Sequence, residues 1–256
     1  MSVPVSTKWV LDAVGPTGRV AVESVYLIYC AKTGLKGSGW LHKSGRLITN
    51  EHVVQGCVAA EVLALSSSGA QVAFKDLKLD ADQDLALLTP TSAQAGGLEM
   101  DLSASPEVGM IVHAWGHPLG YNGPAPLLSV GYLAGFSEHK TASGTNKHLV
   151  VNGAFNPGNS GGPLFASQSD KVMGVVVSKH APLSEFHQKA IGALASNSSG
   201  VVFTYTEPSG KQRQFVESQL VADILEYFRN LTQVMIGEAI AIETLADFLK
   251  KNGIAP

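Results

Sequence analysis

Short stretches in which apolar and polar residues alternate make up most of the first 206 positions of the chain. β-Branched and aromatic residues dominate these stretches, and Gly, Ser, Asp or Asn interrupts the chain between most of them, which is typical of strands joined by tight turns. Six stretches lie in the first half: Val22–Ala31, Gly39–His42, Arg46–Thr49, Val58–Leu65, Gln71–Leu79 and Leu85–Leu88. Six more follow: Met110–Ala114, Leu127–Phe136, Lys147–Ala154, Gly162–Ala166, Lys171–Val177 and Val201–Thr206.

Two sets of six short strands predict an all-β protein built from two six-stranded antiparallel β-barrels. A connector of small and polar residues at 90–108 separates the sets. We therefore expect a first barrel over about 20–90 and a second over about 108–206, within one domain covering residues 1–206. Residues 181–200 are small and polar and predict a loop.

The hydrophobic period changes towards both ends of the chain. Apolar residues recur at helical spacing at Leu220, Ile224 and Phe228, which predicts an amphipathic helix. A second helix is predicted over much of Glu238–Lys250, and a short one around Lys8–Val14. We expect residues 207–256 to form C-terminal helices packed on the barrels; a helix that binds a partner protein is the alternative.

Composition narrows the choice of partners and compartment. The 256 residues are 45% hydrophobic and 15% charged with a net charge of −3, and no basic run appears, so we expect no nucleic-acid partner. No apolar run reaches about 18 residues, which argues against a membrane span. Residues 1–18 do not read as a signal peptide, so we expect a cytoplasmic protein in which Cys30 and Cys57 are free thiols.

One glycine-rich segment carries an isolated hydroxyl. Ser160 lies within Asn156–Leu164 (NPGNSGGPL), between two apolar runs. Glycines let the backbone approach a ligand closely, and backbone N–H groups around such a turn can stabilise an oxyanion. Taken alone, the segment fits a glycine hairpin at least as well as a nucleophile loop.

A serine nucleophile needs a base, and the base needs a carboxylate to orient it. His52 follows a strand that stops at a polar break, which places it at the rim of a barrel. Asp84 directly precedes the apolar strand Leu85–Leu88, where a partly buried carboxylate needs a partner such as imidazole. His113 and His117 have a metal-ligand spacing, but Gly116 and Pro118 oppose the helix that it requires, so no metal site is expected.

His52, Asp84 and Ser160, in that order and with these flanks, resemble the catalytic residues of chymotrypsin-fold (trypsin-like) serine peptidases, and among them the HtrA (Deg) type. The resemblance covers about residues 20–206. Its five pieces are Gly37-Ser38-Gly39-Trp40, Leu47–Val54, Asp84–Leu88, Val108–Gly120 and Asn156–Leu164.

The resemblance implies a serine endopeptidase that hydrolyses protein or peptide bonds without a metal or cofactor. Ser160 would be the nucleophile, His52 the base and Asp84 its orienting acid, with the N–H groups of Gly158 and Ser160 as the oxyanion hole. A restrained peptide-binding or chaperone-like module on the same fold is the alternative function.

The same resemblance assigns substrate contacts. Ala154 and Phe155 would form a modest apolar pocket without a carboxylate, which argues against cleavage after Lys or Arg. Val177 and Ser178 would belong to the strand that pairs with the substrate backbone.

The chain also departs from the HtrA pattern. We expect neither a PDZ domain after the barrels nor an export signal, and Cys30 aligns poorly as a disulfide partner of Cys57. We expect a stand-alone module that a regulatory or substrate-recruiting partner serves. We place the closing strand of the second barrel at Val201–Tyr205; alternatively, Ile236–Leu249 provides the closing strand and final helix, with residues 181–235 as an insertion.

Overall fold

The computed structural model describes residues 3–142, 144–167, 169–177, 185–206, 212–231 and 236–256. Contacts divide the chain into two compact units. One comprises residues 1–179 and 235–256, and the other comprises residues 180–234.

Two helices precede the first barrel. Helix α1 (Val5–Ala13) matches the predicted N-terminal helix. A second helix that the sequence did not predict, α2 (Pro16–Ser24), follows it directly. The reason is that proline suits the first turn of a helix, where its missing N–H has no partner to lose. The first strand therefore begins at Val25 rather than at Val22.

The first barrel is closed, antiparallel and six-stranded, in the order β1-β2-β3-β6-β5-β4. A one-turn helix, α3 (Glu51–Val54), follows the third strand, and a 3-10 turn lies at Ala59–Glu61. The strands are β1 (Val25–Cys30), β2 (Lys36–Leu41), β3 (Leu47–Thr49), β4 (Val62–Ser66), β5 (Gln71–Asp80) and β6 (Leu85–Pro90).

Five strands of the second barrel follow the connector: β7 (Ile111–Gly116), β8 (Leu127–Thr141), β9 (Gly144–Gly153), β10 (Pro163–Ala166) and β11 (Val172–Val177). After the second unit, the chain returns with β14 (Ile236–Ala241) and helix α6 (Ile242–Lys251). The strand order β10-β11-β14-β9-β8-β7 closes the barrel. These strands confirm the predicted fold of two six-stranded antiparallel barrels with a C-terminal helix.

The prediction that Val201–Tyr205 closes the second barrel is wrong, because β14 pairs with β11 on one side and β9 on the other. A closing strand must bury its side chains, and five of the six residues of β14 are buried, whereas all five of Val202–Thr206 are exposed. The domain limit predicted at residue 206 depends on the same strand, so the barrel does not end there. The alternative assignment of Ile236–Leu249 is the correct one.

The second unit holds α4 (Glu185–Ser196), a hairpin of β12 (Val202–Thr206) and β13 (Gln212–Val216), and α5 (Glu217–Leu231). Helix α5 confirms the helix predicted there, but α4 occupies the stretch predicted as a loop. The helix predicted over Glu238–Lys250 is half right, since its first residues form β14.

Three groups of buried side chains hold the first unit together. One fills the first barrel and another fills the second. The third lies between the barrels and includes Trp40 and Leu85 of the first, Phe165 and Val175 of the second, and Phe248 of α6. Because this interface is continuous and apolar, the loops at its edge have fixed positions relative to each other.

The two cysteines form a disulfide, Cys30–Cys57, so the prediction of free thiols is wrong. Cys30 ends β1, and Cys57 follows α3, which packs on that strand; their Cα atoms are 6.0 Å apart, within the range that a disulfide spans. The bond ties the segment that follows His52 to the barrel wall.

Across the described ranges, the structure contains no helix that is both long and apolar enough to cross a membrane.

Candidate active site

The structure brings His52 and Asp84 together at the edge of the first barrel. Nδ1 of His52 lies 2.9 Å from Oδ1 and 2.8 Å from Oδ2 of Asp84. The backbone N–H of His52 also donates to Oδ1 at 3.0 Å. The carboxylate therefore fixes both the main chain and the ring of His52 and favours the tautomer with the proton on Nδ1.

The backbone at Asp84 has an uncommon conformation. Its φ of 52° is the single positive value among the described residues other than glycine. The side chain of Asn50 donates to the carbonyl of Asp84 at 2.9 Å, which holds the turn from the barrel wall. Strain of this kind persists where surrounding contacts fix it, and functional sites are where it concentrates.

A second carboxylate adjoins the His52–Asp84 pair. Glu51 begins α3 and directly precedes His52. Burial, and after it the negative charge of Asp84, raises the pKa of Glu51, while His52 acts in the opposite direction.

Ser160 lies in the loop between β9 and β10, in the second barrel, and is 4% exposed. Gly161 has a φ of +85°, and a Cβ there would come within 2.3 Å of Oγ1 of Thr49 and 3.1 Å of the N of Asn50. The loop is thus seated against the end of β3, immediately before His52. Glycine is required at 161 both for this close approach and for the positive φ.

Gly158 forms the other tight turn of this loop, with a φ of +96°. A Cβ on it would lie 2.4 Å from the carbonyl oxygen of His117 and 2.7 Å from the N of Leu119. The carbonyl of Pro157, just before it, accepts the N–H of Leu119 at 2.7 Å. Across a trans peptide the N–H points away from the carbonyl, so the N–H of Gly158 points away from Leu119.

Ser38, on β2, joins the two barrels beneath this loop. Its hydroxyl donates to the carbonyl of Gly158 at 2.7 Å and accepts the N–H of His117 at 2.8 Å. Its own N–H donates to the carbonyl of Ser160 at 2.8 Å, and its carbonyl accepts the hydroxyl of Thr49 at 2.7 Å. Sequence reasoning included Ser38 in a motif but assigned it no role; its position between two glycines was the available signal.

The two histidines considered as metal ligands, His113 and His117, have different surroundings. His113 stacks on Phe165 with ring centroids 5.1 Å apart. His117 is buried beside Gly158, and burial lowers its pKa to about 4, so it is neutral at neutral pH. Burial also lowers the pKa of His113.

The predicted pocket residues have different surroundings. Phe155 is 2% exposed and packs so closely on Gly237 that a Cβ there would lie 2.5 Å from its ring. Ala154 and Val177 are half-buried, and Val177 pairs with Glu238 of β14. Ser178 lies outside the described residues.

A polar link joins the Asp84 turn to the second barrel. Nδ2 of Asn146, on β9, donates to Oε1 of Gln83 at 2.7 Å. Nε2 of His139, on β8, lies 3.2 Å from the carbonyl oxygen of Asp82. No motif in the sequence points to these contacts, because they join residues far apart in the chain.

Comparison with known proteins finds a family model and several relatives. The model of the family described as "Trypsin-like peptidase domain" matches residues 37–175. The serine protease Do-like HtrA of Lactobacillus helveticus is 31% identical over 188 residues, covering 69% of this chain and 43% of that protein. The uncharacterized protein y4bJ of Sinorhizobium fredii is 32% identical over 148 residues, covering 56% of this chain and 22% of that protein. The matched regions span less than half of the length of these two relatives.

Solved structures share the architecture. The active form of the Rv3671c protease from M. tuberculosis aligns with a TM-score of 0.63 at 18% identity, covering 100% of this chain and 90% of that chain. The HtrA-type protease AlgW with a decapeptide aligns with a TM-score of 0.60 at 16% identity, covering 91% of this chain and 65% of that chain. At these identities the likeness concerns the fold.

Proposed function

This chain belongs to the family of trypsin-like peptidase domains, and on that premise we propose that it is a serine endopeptidase that acts through Ser160, His52 and Asp84. The observation that carries the proposal is the paired contact of Asp84 with His52, at the edge where the Ser160 loop of the other barrel is seated. A carboxylate held to Nδ1 leaves Nε2 as the nitrogen that accepts a proton.

The reaction follows from these positions. Oγ of Ser160 attacks the scissile carbonyl while Nε2 of His52 takes its proton, and Asp84 stabilises the imidazolium that forms. The N–H groups of Gly158 and Ser160 receive the oxyanion. His52 then gives the proton to the leaving amine, and water hydrolyses the acyl-enzyme by the same steps.

The substrate is a protein or peptide with a small or medium apolar residue before the cleaved bond. The residue types at 154 and 155 support this preference, because neither Ala154 nor Phe155 offers a negative charge to a Lys or Arg side chain. Val177 would present its backbone to the substrate. Partner proteins that recruit substrates or regulate the site are part of this proposal.

The test compares wild type with Ser160→Ala on a library of peptides from a cell digest. We expect a fluorophosphonate probe to label wild type alone, and cleavage products that appear with wild type and carry small apolar residues before the new C-terminus. Neither labelling nor cleavage by wild type would favour a peptide-binding module. A profile dominated by Lys, Arg or Glu would contradict the pocket assignment.

A further inference from the structure

The hydroxyl of Ser38 is a buried side-chain group that contacts the Ser160 loop, the segment between β9 and β10, at Gly158. It is 0% exposed, and its two hydrogen bonds, at 2.7 and 2.8 Å, use the one donor that a hydroxyl has and one of its acceptor sites. Both partners are main-chain groups: the carbonyl of Gly158 and the N–H of His117. Ser38 itself takes no part in the proposed chemistry.

Each of the two peptide planes that meet at Gly158 is held by a hydrogen bond that its carbonyl accepts. The plane after Gly158 is held directly, since its carbonyl accepts the hydroxyl of Ser38. The plane before it is held by the N–H of Leu119, which donates to the carbonyl of Pro157. Leu119 is two residues from His117, whose N–H is bound to the same hydroxyl. The hydroxyl of Ser38 thus fixes the plane after Gly158 directly. It also anchors the turn at His117, which fixes the plane before Gly158.

A glycine at a φ of +96° has no side chain to restrict its rotation, so these contacts set its orientation. The plane before Gly158 carries the N–H that the proposed mechanism uses for the oxyanion. Rotation of this plane removes a donor from the site without disturbing His52 or Asp84.

We propose that Ser38 is a positioning residue that holds the N–H of Gly158 toward the oxyanion through its hydrogen bonds to Gly158 and His117. The inference rests on the proposed peptidase function, and its consequence is specific to the transition state. Loss of the hydroxyl lowers kcat and the affinity for tetrahedral analogues, but leaves the KM for substrate nearly unchanged.

The experiment measures kcat and KM for a fluorogenic peptide, and the Ki of a peptide trifluoromethyl ketone, in wild type and Ser38→Ala. Removal of one oxyanion donor lowers kcat on the order of a hundredfold or more, and a weakened donor loses less, so we expect a loss of roughly tenfold to a hundredfold. The Ki should rise by a similar factor, with KM changed by less than about twofold.

Thr7→Val is the matched control. The hydroxyl of Thr7 is also 0% exposed and also donates at 2.7 Å to a main-chain carbonyl, that of Ser67, away from the site. Both substitutions remove a buried hydroxyl, so both should lower the melting temperature, but Thr7→Val should keep the wild-type kcat and Ki.

The outcomes separate the two proposals. Active wild type with an unchanged kcat and Ki in folded Ser38→Ala overturns the role of Ser38 and leaves the peptidase intact. Inert wild type that no fluorophosphonate labels overturns both. If Ser38→Ala does not fold, the same measurements are made on Ser38→Cys, because a thiol is a weak donor and acceptor. An unchanged kcat in Ser38→Cys overturns the inference equally.

Discussion

At the scale of the residue, burial changes the proton affinity of two histidines most. Burial lowers the pKa of His42 to about 4, with the charges of Lys43 and Arg46 acting in the same direction, and burial alone lowers that of His117 to about 4. In the unfolded chain both titrate near 6.5. The unfolded state therefore binds more protons than the folded state between these two values.

The folded state should lose stability as the pH falls from about 6.5 to about 4. This contribution is fully present above 6.5 and is lost on the way down, with a slope of up to about 1.4 kcal/mol per pH unit for each histidine. His42→Leu should reduce this slope by nearly the contribution of one histidine. Urea unfolding at pH 7, 6 and 5 measures it, and an equal slope in both proteins would contradict the assignment.

A strand end and an apolar flank restrict where His52 and Asp84 can lie, but the prediction that they pair also needs the resemblance of their flanks to a known family. The contacts of Ser38 with Gly158 and His117 were out of reach, since they depend on how β2 of one barrel meets a loop of the other. The bond between Cys30 and Cys57 contradicts a prediction that rests on two inferences, a reducing compartment and the poor alignment of Cys30 as a partner of Cys57.

At the scale of the element, a high strand propensity does not decide which segment becomes a strand of the barrel. Val202–Thr206 is rich in β-branched and aromatic residues and forms a strand, but in a hairpin outside the barrel. Ile236–Ala241 contains Gly, Glu and two alanines and reads as helical, but closes the barrel. Its pairing with β9 and β11 decides its conformation, which no local pattern reveals.

Replacing residues 180–234 by a short Gly-Ser linker should preserve the barrels. Val177 and Glu238 lie directly opposite each other on neighbouring antiparallel strands, so a hairpin-length connection spans them. Far-ultraviolet circular dichroism, thermal unfolding and fluorophosphonate labelling measure the result.

A chain ended at residue 234 is the contrasting variant. It lacks β14 and α6, and with them Ile240, Leu245 and Phe248 of the apolar group between the barrels, so its second barrel should not fold. A wild-type melting enthalpy in that variant would contradict the role assigned to β14 and α6, and loss of folding in the linker variant would contradict the independence of the barrels from residues 180–234.

At the scale of the whole molecule, the site depends on the barrels holding their relative positions. The Asp84 turn belongs to the first barrel, but Asn146 of the second holds the neighbouring Gln83, which is 9% exposed. This contact supplements the apolar group between the barrels with a directional bond next to the acid.

A double-mutant cycle measures that bond. Gln83→Ala and Asn146→Ala should each destabilise the protein, with a coupling energy of about 1 kcal/mol in urea unfolding. Asn146→Ala should also lower kcat/KM several-fold. Asn152→Ala is the control, because Asn152 lies on the same strand and is exposed; its change should stay within about 0.5 kcal/mol. Additive effects of the first two substitutions would contradict the link.

The late position of β14 in the chain has a consequence for biosynthesis. Since domains fold as the ribosome releases them, the first barrel can form once Pro90 has emerged. The Ser160 loop joins β9 to β10, and in the second barrel these two strands are connected through β14 and β11. A nascent chain therefore carries an unfinished Ser160 loop until β14 is translated, so the proposed peptidase would gain its nucleophile only after the proteins around it have had time to fold.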